Sequence, residues 1–469
     1  MSEIMLRDQI PSAPTGLTRL RWYGPGLLWM LAAVGTGSVL FTPRVASVYQ
    51  YQLYWMLVLV VFFMYVMIRE MARFSIVSGR TVLDGIYSLG GPAGWAVWII
   101  LIPQLLAAAV GVAGIAAIVG SAMQSVLPGS GTLYAIGLIV LCVGFVFAGR
   151  YAKLEKLSRT MAIVLMGMTV ISAGVVFPDF GDLSSGLIPS WPEDPELYVI
   201  LPWIGTILAG SMGIVWFGYW TAIRGYGGGL VERKAHDATG DKQPEEKKFS
   251  RAHSWIGVMS GTAAAGVIGG LIILTAFMVL GAELLAPAGI LPEGPDVAVD
   301  LSRLFSEVWG EPGRYLLLLA IIIALGGSVL ADQDGWSRSF SDMTLILDRG
   351  SREARPAGRI SRLFDWLTQH LGDRLRDRAF LTRVYLVSVT GIVPVIIVML
   401  FSDPVEVMSA SGIIAAAHTP FIVFITLYLN RTHLPRELRP GNFISCMMAL
   451  AGLFYLSFAG VFFWDLFRG

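Results

Sequence analysis

Residues 24–50 read GPGLLWMLAAVGTGSVLFTPRVASVYQ, an apolar run interrupted near its middle by Gly35, Thr36, Gly37 and Ser38. A hydrocarbon core ~30 Å thick takes about 20 helical residues to cross, so this run is long enough to span it. Glycine inside a helix costs ~1 kcal/mol relative to alanine. Irregular backbone at membrane depth is tolerated only where protein or a water-filled cavity surrounds it. The sixth apolar run repeats the arrangement. It carries Ala209, Gly210, Ser211, Met212 and Gly213, followed by Trp216, Phe217, Gly218, Tyr219 and Trp220. The two clusters lie five spans apart, and breaks at corresponding positions of two halves point to a transport site at an inverted repeat. Taken singly, the same glycines also suit close helix packing. That is the use expected of Gly114, Gly120, Gly269 and Gly270.

Similar runs fill the chain of 469 residues, of which 55% are hydrophobic and 14% charged. Soluble domains average roughly 25% charged residues, so a soluble enzyme is excluded. Disorder is excluded by the apolar content. A membrane barrel would show alternation in ~10-residue segments rather than continuous runs. The expected architecture is an all-α integral membrane protein. Its eleven spans fall near 24–50, 53–77, 94–126, 132–149, 158–177, 199–224, 253–281, 314–345, 383–401, 404–429 and 442–466. No cleavable leader is expected, because residues 1–23 are polar and basic and the first apolar run is too long. Cys142 and Cys446 both lie in apolar runs, which provides neither a disulfide scaffold nor a thiolate metal site.

Basic residues orient the chain. With the N-terminus inside and strict alternation, 30 of the 34 Lys and Arg residues fall in inside segments. Arg303, Arg314 and Arg468 fall outside, and Arg44 lies within the first span. This is the charge bias of a multi-pass protein with a cytoplasmic N-terminus. An odd span count then places the C-terminus outside, and a plasma-membrane location is expected. Residues 178–197 and 282–313 read as acidic outer loops, residues 231–250 as a polar linker, and residues 349–382 as an Arg-rich inner loop or surface helix. Net charge is +1, so nothing points to nucleic acid. No phosphate loop, Ser/His/Asp triad or Cys/His cluster is present. Neither catalysis nor a cofactor is expected; the partners are the bilayer and a small cation or solute.

Four further segments carry a resemblance. Gly24-Pro25-Gly26-Leu27-Leu28-Trp29 opens the broken first span. The segment from Arg69 to Arg80, REMARFSIVSGR, is similar to "AARLGIVTGK". Trp55 keeps a matching spacing, and His418-Thr419-Pro420-Phe421 is similar to "QLPF". Together with eleven helices, these resemble the Nramp family of divalent-metal transporters. The resemblance implies the leucine-transporter fold, with helices 1–5 and 6–10 as an inverted repeat plus one extra helix. The corresponding organisation is a single transmembrane domain over 1–469. It comprises an N-terminal segment 1–23, a first repeat 24–177, a second repeat 199–429 and an extra helix 442–466.

The chain departs from that family where its metal ligands belong. The family's Asp-Pro-Gly-Asn falls on Gly35, Thr36, Gly37 and Ser38, and its Met-Pro-His is absent from residues 213–219. A glutamine of its tenth helix falls near Gly412, and no acid occupies the middle of the third span, where its proton path begins. Divalent cations need hard oxygen ligands, and Mg²⁺ dehydrates reluctantly. What remains is backbone carbonyls, the hydroxyls of Thr36, Ser38 and Ser211, and the Met212 sulfur, with Gly210, Gly213, Trp216 and Tyr219 around them. The reading is a hydrated Mg²⁺ or Mn²⁺ moved without obligatory proton movement. The alternative is an amino acid or other small organic solute, because Gly-Thr-Gly-Ser also resembles the glycine-rich first helix of amino-acid transporters. There, freed N–H groups at a half-helix N-terminus bind a carboxylate.

Ionisable residues inside spans are costly and mark pathways. Arg44 faces a vestibule, repelling cations, or snorkels to the outer interface. Asp332, Asp334 and Asp342 share the eighth span with Arg338, and Asp334 and Arg338 have the i,i+4 spacing of an ion pair. These residues belong to a pathway or to an interfacial ion pair. His418 either titrates near neutrality or is a satisfied polar residue packed beside Pro420.

Overall fold

The structure is a computed structural model that describes residues 7–34, 37–89, 94–149, 151–230, 243–353, 366, 369 and 373–468. Among them every regular element is helical. Span 1 is a bent pair, Gly24–Val34 and Ser38–Tyr49, and the helical run Gly16–Ala33 meets its second half at 60°. Spans 2 to 5 are Tyr54–Ser78, Trp95–Gln124, Gly131–Ala148 and Ala152–Val175. Spans 6 to 11 are Leu197–Ile223, Glu245–Leu285, Val297–Asp348, Arg378–Leu400, Pro404–Thr432 and Asn442–Trp464. Local chemistry ends several of them. Gly79 and Gly149 take the left-handed conformation that stops a helix at its C-terminus. The Asp403 carboxylate accepts from the N–H groups of Val405 and Glu406 to start span 10.

Burial separates core from rim. The apolar window of span 6 is 82% buried and that of span 2 is 67% buried, whereas spans 4, 5, 9 and 11 reach only 17–28%. The less buried spans therefore present their apolar side chains to lipid, and the centre is built from spans 1, 2, 3, 6, 7, 8 and 10. The first half of span 1 lies along span 7, and the second half of span 6 along span 2. Span 10 packs against span 3 and the first half of span 6. Without a hydrophobic drive between helices in lipid, small residues allow this approach. A Cβ added to Gly412 would lie 2.6 Å from the Pro202 carbonyl oxygen, and one added to Gly114 would lie 2.9 Å from Met408. Gly120, Gly269 and Gly270 make similar close contacts with Gly131, Met30 and Leu208.

At the basic end of the bundle, charge is tied down by pairing. Glu70 is buried between Arg69 and Arg73, at 2.5 and 2.7 Å, and Asn430 of span 10 reaches it at 3.3 Å. Arg73 also donates to the Leu438 carbonyl at 3.0 Å. A buried charge is tolerated when paired and hydrogen-bonded, so this cluster locks span 2 to span 10 and to the turn Arg436–Leu438 that follows it. The chain's own beginning docks nearby, where the Arg7 guanidinium donates to the carbonyls of Gly227 and Gly229.

One expectation changes here, and two others fall largely on residues outside the described set. Residues 282–313 are not simply a loop, because span 7 continues through Gly281–Leu285 and a helix begins at Val297. That helix kinks at Gly310, whose φ of 66° admits glycine readily and most residues poorly. Of the linker at 231–250, residues 231–242 lie outside the described residues, and Glu245 already opens span 7. Most of 354–372 also lies outside them. The glycine crossings give a direct test. Gly412→Leu should lower the melting temperature of the detergent-solubilised protein markedly, since overpacking typically costs about 1–3 kcal/mol. Gly174→Leu, at a glycine with nothing within 4 Å of a built Cβ, should leave melting unchanged.

Candidate functional site

The site starts from the two interruptions. Gly35 and Thr36 lie outside the described residues. Their neighbour Gly37 meets span 6 directly, because a Cβ there would lie 2.7 Å from the Cβ of Thr206. In span 6 the helix Leu197–Thr206 stops, and Leu208, Ala209 and Gly210 take φ values of 53°, 63° and 52°. The helix then resumes as Gly210–Ile223. The break thus sits earlier than the cluster Gly210, Ser211, Met212 and Gly213 predicts, and the last three of these are helical. Left-handed backbone costs a non-glycine residue roughly 1–2 kcal/mol. Tertiary packing holds it in place: Leu208 is fully buried against Gly270 of span 7, where a Cβ would come within 2.5 Å of its side chain. Strained backbone of this kind gathers at functional sites.

Two tryptophans cross-tie the halves. Trp29 Nε1, on the first half of span 1, donates to the Gly213 carbonyl of span 6 at 2.9 Å. Trp203 Nε1, on the first half of span 6, donates to Thr42 Oγ1 of span 1 at 3.2 Å. Each broken span thereby holds the far half of the other. Gln104 of span 3 adds a hub, with its Nε2 donating to Ser211 Oγ at 3.2 Å and lying 3.1 Å from His418 Nδ1. All three residues are buried.

Beside the breaks lies a cavity of about 570 Å³. It runs from Ala33, Val39 and Ala209 to Tyr151, Arg159 and Arg224 at the basic end. Trp216, Tyr219 and Trp220 line it, with the two indoles stacked at 6.1 Å. A chamber of about 70 Å³ adjoins it, lined among others by Thr206, Ser211, Trp336 and Ser411. Ala209, Trp216 and Asp332 belong to the walls of both.

The charged residues of span 8 divide. Asp334 and Arg338 pair at 2.8 Å on the cavity rim, and Asp342 takes a two-pronged bond from Arg378 at 2.6 and 2.8 Å. Burial, helped by the neighbouring Asp334, raises the Tyr151 phenol at the rim and keeps it neutral. Asp332 is buried, and it has no hydrogen bond or ion pair with any described residue. Arg44 does not face this cavity. Its Nε donates to the Pro292 carbonyl at 3.1 Å and its guanidinium lies 3.6 Å from Glu293. The second half of span 1 carries it away from the break to the acidic end, where the segment after span 7 folds back over it. His418 sits behind Ser211 and Gln104 and lines neither space. Ser38 Oγ is buried without a partner, and the Met212 side chain lies outside the described residues. No group of three or more His, Cys, Asp or Glu residues converges among the described residues.

Sequence reasoning missed Leu208, Gln104, Ser411 and Trp336, and named Ala209 only as the start of the span 6 cluster. A glutamine inside an apolar span was the one local signal among them. The paired indole bonds generate a prediction. Trp203→Phe leaves the buried Thr42 hydroxyl without its indole partner, which costs about 1–3 kcal/mol, and Trp29→Phe removes one buried hydrogen bond to a helical carbonyl, worth about 0.5–1.5 kcal/mol. Each should lower thermal stability accordingly, and unchanged melting of both would show that these bonds do not hold the crossing.

Comparisons with known proteins agree on one relationship. The family described as "Nramp: Natural resistance-associated macrophage protein-like" matches residues 26–331. A protein of Pasteurella multocida (strain Pm70), named Uncharacterized protein PM0681, is 24% identical over 340 residues, covering 71% of this chain and 72% of that one. A histidine-to-alanine mutant of the Eremococcus coleocola manganese transporter superposes with a TM-score of 0.64 at 14% identity, covering 96% of this chain and 88% of that one. The same transporter in complex with an aromatic bis-isothiourea substituted compound gives 0.61 at 14% identity, with coverage of 97% and 89%.

Proposed function

The chain belongs to the Nramp family, and from that premise we propose that it moves a divalent metal cation, hydrated Mg²⁺ or Mn²⁺, across a membrane by alternating access. Its fold is the family's leucine-transporter-like inverted repeat, spans 1–5 and 6–10, with one extra helix. The observation that carries the reading is the meeting of the two breaks over a cavity of about 570 Å³ that reaches the basic end of the bundle. Six waters at ~30 Å³ each occupy roughly 180 Å³, so an octahedrally hydrated ion fits there. Stripping a divalent ion at the span 1 break would be expensive, because neither the family's aspartate nor its asparagine stands there. Charge leaving water costs several kcal/mol unless ligands replace the hydration shell.

Further parts of this reading rest on the charge pattern and the residues already described. The basic end is cytoplasmic and the membrane is the plasma membrane, with the C-terminus outside. Residues 24–177 and 199–429 act as the two repeats of one domain, followed by 442–466. Gly37, Ser38, Gly210, Ser211 and Gly213 form the crossing; Gly35, Thr36 and the Met212 side chain, assigned to the same substrate site by the sequence, lie outside the described residues. Trp216 and Tyr219 wall the route, and Asp334 and Arg338 stand at its rim. Span 3 offers Gln104 rather than an acid beside the break, so transport proceeds without obligatory proton movement.

Uptake of labelled Mn²⁺, labelled Mg²⁺ and a pool of amino acids into proteoliposomes tests the substrate. Metal flux abolished by Gly37→Leu is expected, since that side chain collides with Thr206 and fills the crossing. Amino-acid flux without metal flux would assign the cavity to an organic zwitterion instead. Internal pH followed during the same uptake should stay constant. Substrate-dependent acidification that mutation of His418 or Asp332 abolishes would show proton coupling.

A further inference from the structure

We propose that Asp332 is the charged ligand of a cation site at the mouth of the small chamber, replacing from span 8 the carboxylate that the span 1 break lacks. The proposal rests on the cation-transport reading above and names the group that would make it selective for positive charge.

Asp332 differs from the two acids that follow it, Asp334 and Asp342. Asp334 and Asp342 are each neutralised by an arginine. Asp332 is 8% exposed and meets no such partner among the described residues. Leaving a carboxylate buried and unpaired costs free energy that folding alone does not return. A carboxylate so placed is neutralised by a proton or completed by a cation, and the walls around it favour the cation.

Its surroundings suit a cation. Among the described residues no lysine, arginine or histidine lines the chamber. Thr206 Oγ1 donates to the Pro202 carbonyl, Ser411 Oγ donates to the Ala107 carbonyl, and Ser211 Oγ accepts from Gln104. A hydroxyl oxygen has two lone pairs, so each of the three keeps at least one for a ligand. The first half of span 6 ends at Thr206 on the chamber wall, and a helix C-terminus carries partial negative charge. Trp216 and Trp336 line the same space with ring centroids 5.5 Å apart, and indole faces attract cations. At about 70 Å³ the chamber holds roughly two waters. An ion can therefore keep its full shell only in the adjoining cavity. Asp332 stands in the wall the two spaces share, where a carboxylate oxygen can replace one water of that shell.

The test uses the purified full-length protein with Mn²⁺ as the probe. Binding is followed by calorimetry and by the Mn²⁺-dependent rise in melting temperature. Asp332→Asn should weaken Mn²⁺ binding at least about tenfold, in the range seen when groups supporting a metal site are lost. It should also abolish the Mn²⁺-dependent rise while melting no lower than wild type in metal-free buffer, because an uncompensated charge has been removed. Asp332→Glu should retain part of the affinity. Undiminished Mn²⁺ binding by Asp332→Asn would overturn the site and leave the transport reading standing. A wild type that neither binds nor carries Mn²⁺ or Mg²⁺ would instead overturn the transport reading. A large fall in metal-free melting for Asp332→Asn would assign the residue a structural role and overturn the proposal. A thermal shift with tetramethylammonium and none with Mn²⁺ would overturn it in favour of an organic cation. Should Asp332→Asn not be recovered folded, Ser411→Ala decides, with weakened Mn²⁺ binding supporting the chamber and unchanged binding overturning it.

Discussion

Everything in this protein depends on how it keeps two helices broken at membrane depth. In hydrocarbon a backbone amide or carbonyl has no water to fall back on, and each one left unsatisfied costs several kcal/mol. A single broken helix facing lipid would therefore not persist. Here the two breaks shelter each other. Gly37 presses against Thr206, while Trp29 and Trp203 each reach across to the other span's far half. The reciprocity of those bonds follows from the inverted repeat, since each half supplies the donor from the helix just before its own break.

That arrangement dictates the rest of the packing. Spans 2, 3, 7 and 10 must enclose the crossing, so they are buried and meet through glycines where backbones nearly touch. Spans 4, 5, 9 and 11 are released to lipid and keep their apolar faces outward. Left-handed backbone at Leu208 and Ala209 is stabilised by the fit of Leu208 against Gly270. Charge obeys the same logic. Glu70, Asp334 and Asp342 are matched with arginines, and Arg44 is led to the acidic end and bound there. Asp332 alone among the span 8 acids faces the open space by the breaks without a match.

The family's usual ligands are missing from the first broken helix, yet its architecture persists. A fold of this kind constrains where a substrate sits more tightly than which side chains hold it. Half-helix ends, freed carbonyls and a wet cavity come from the backbone arrangement itself. The charged partner can then be supplied from a neighbouring span without disturbing the crossing.

Composition and pattern alone determined a great deal. Continuous apolar runs of bilayer length can only be helices, which set the number and order of spans. Paired Gly-rich clusters five spans apart marked the broken helices, because glycine there weakens a helix whatever surrounds it. The i,i+4 spacing of Asp334 and Arg338 is local, and so their pair was legible. Other features were set by partners distant in sequence. The span 6 break moved to Leu208 and Ala209 because span 7 offers Leu208 a groove, and no propensity places a leucine in left-handed backbone. Gln104 became a hub because spans 6 and 10 bring Ser211 and His418 to it. Asp332, two residues from a neatly paired aspartate, reads the same as Asp334 along the chain. Only the packing of span 8 against the crossing decided that one meets an arginine at the rim and the other meets the cavity.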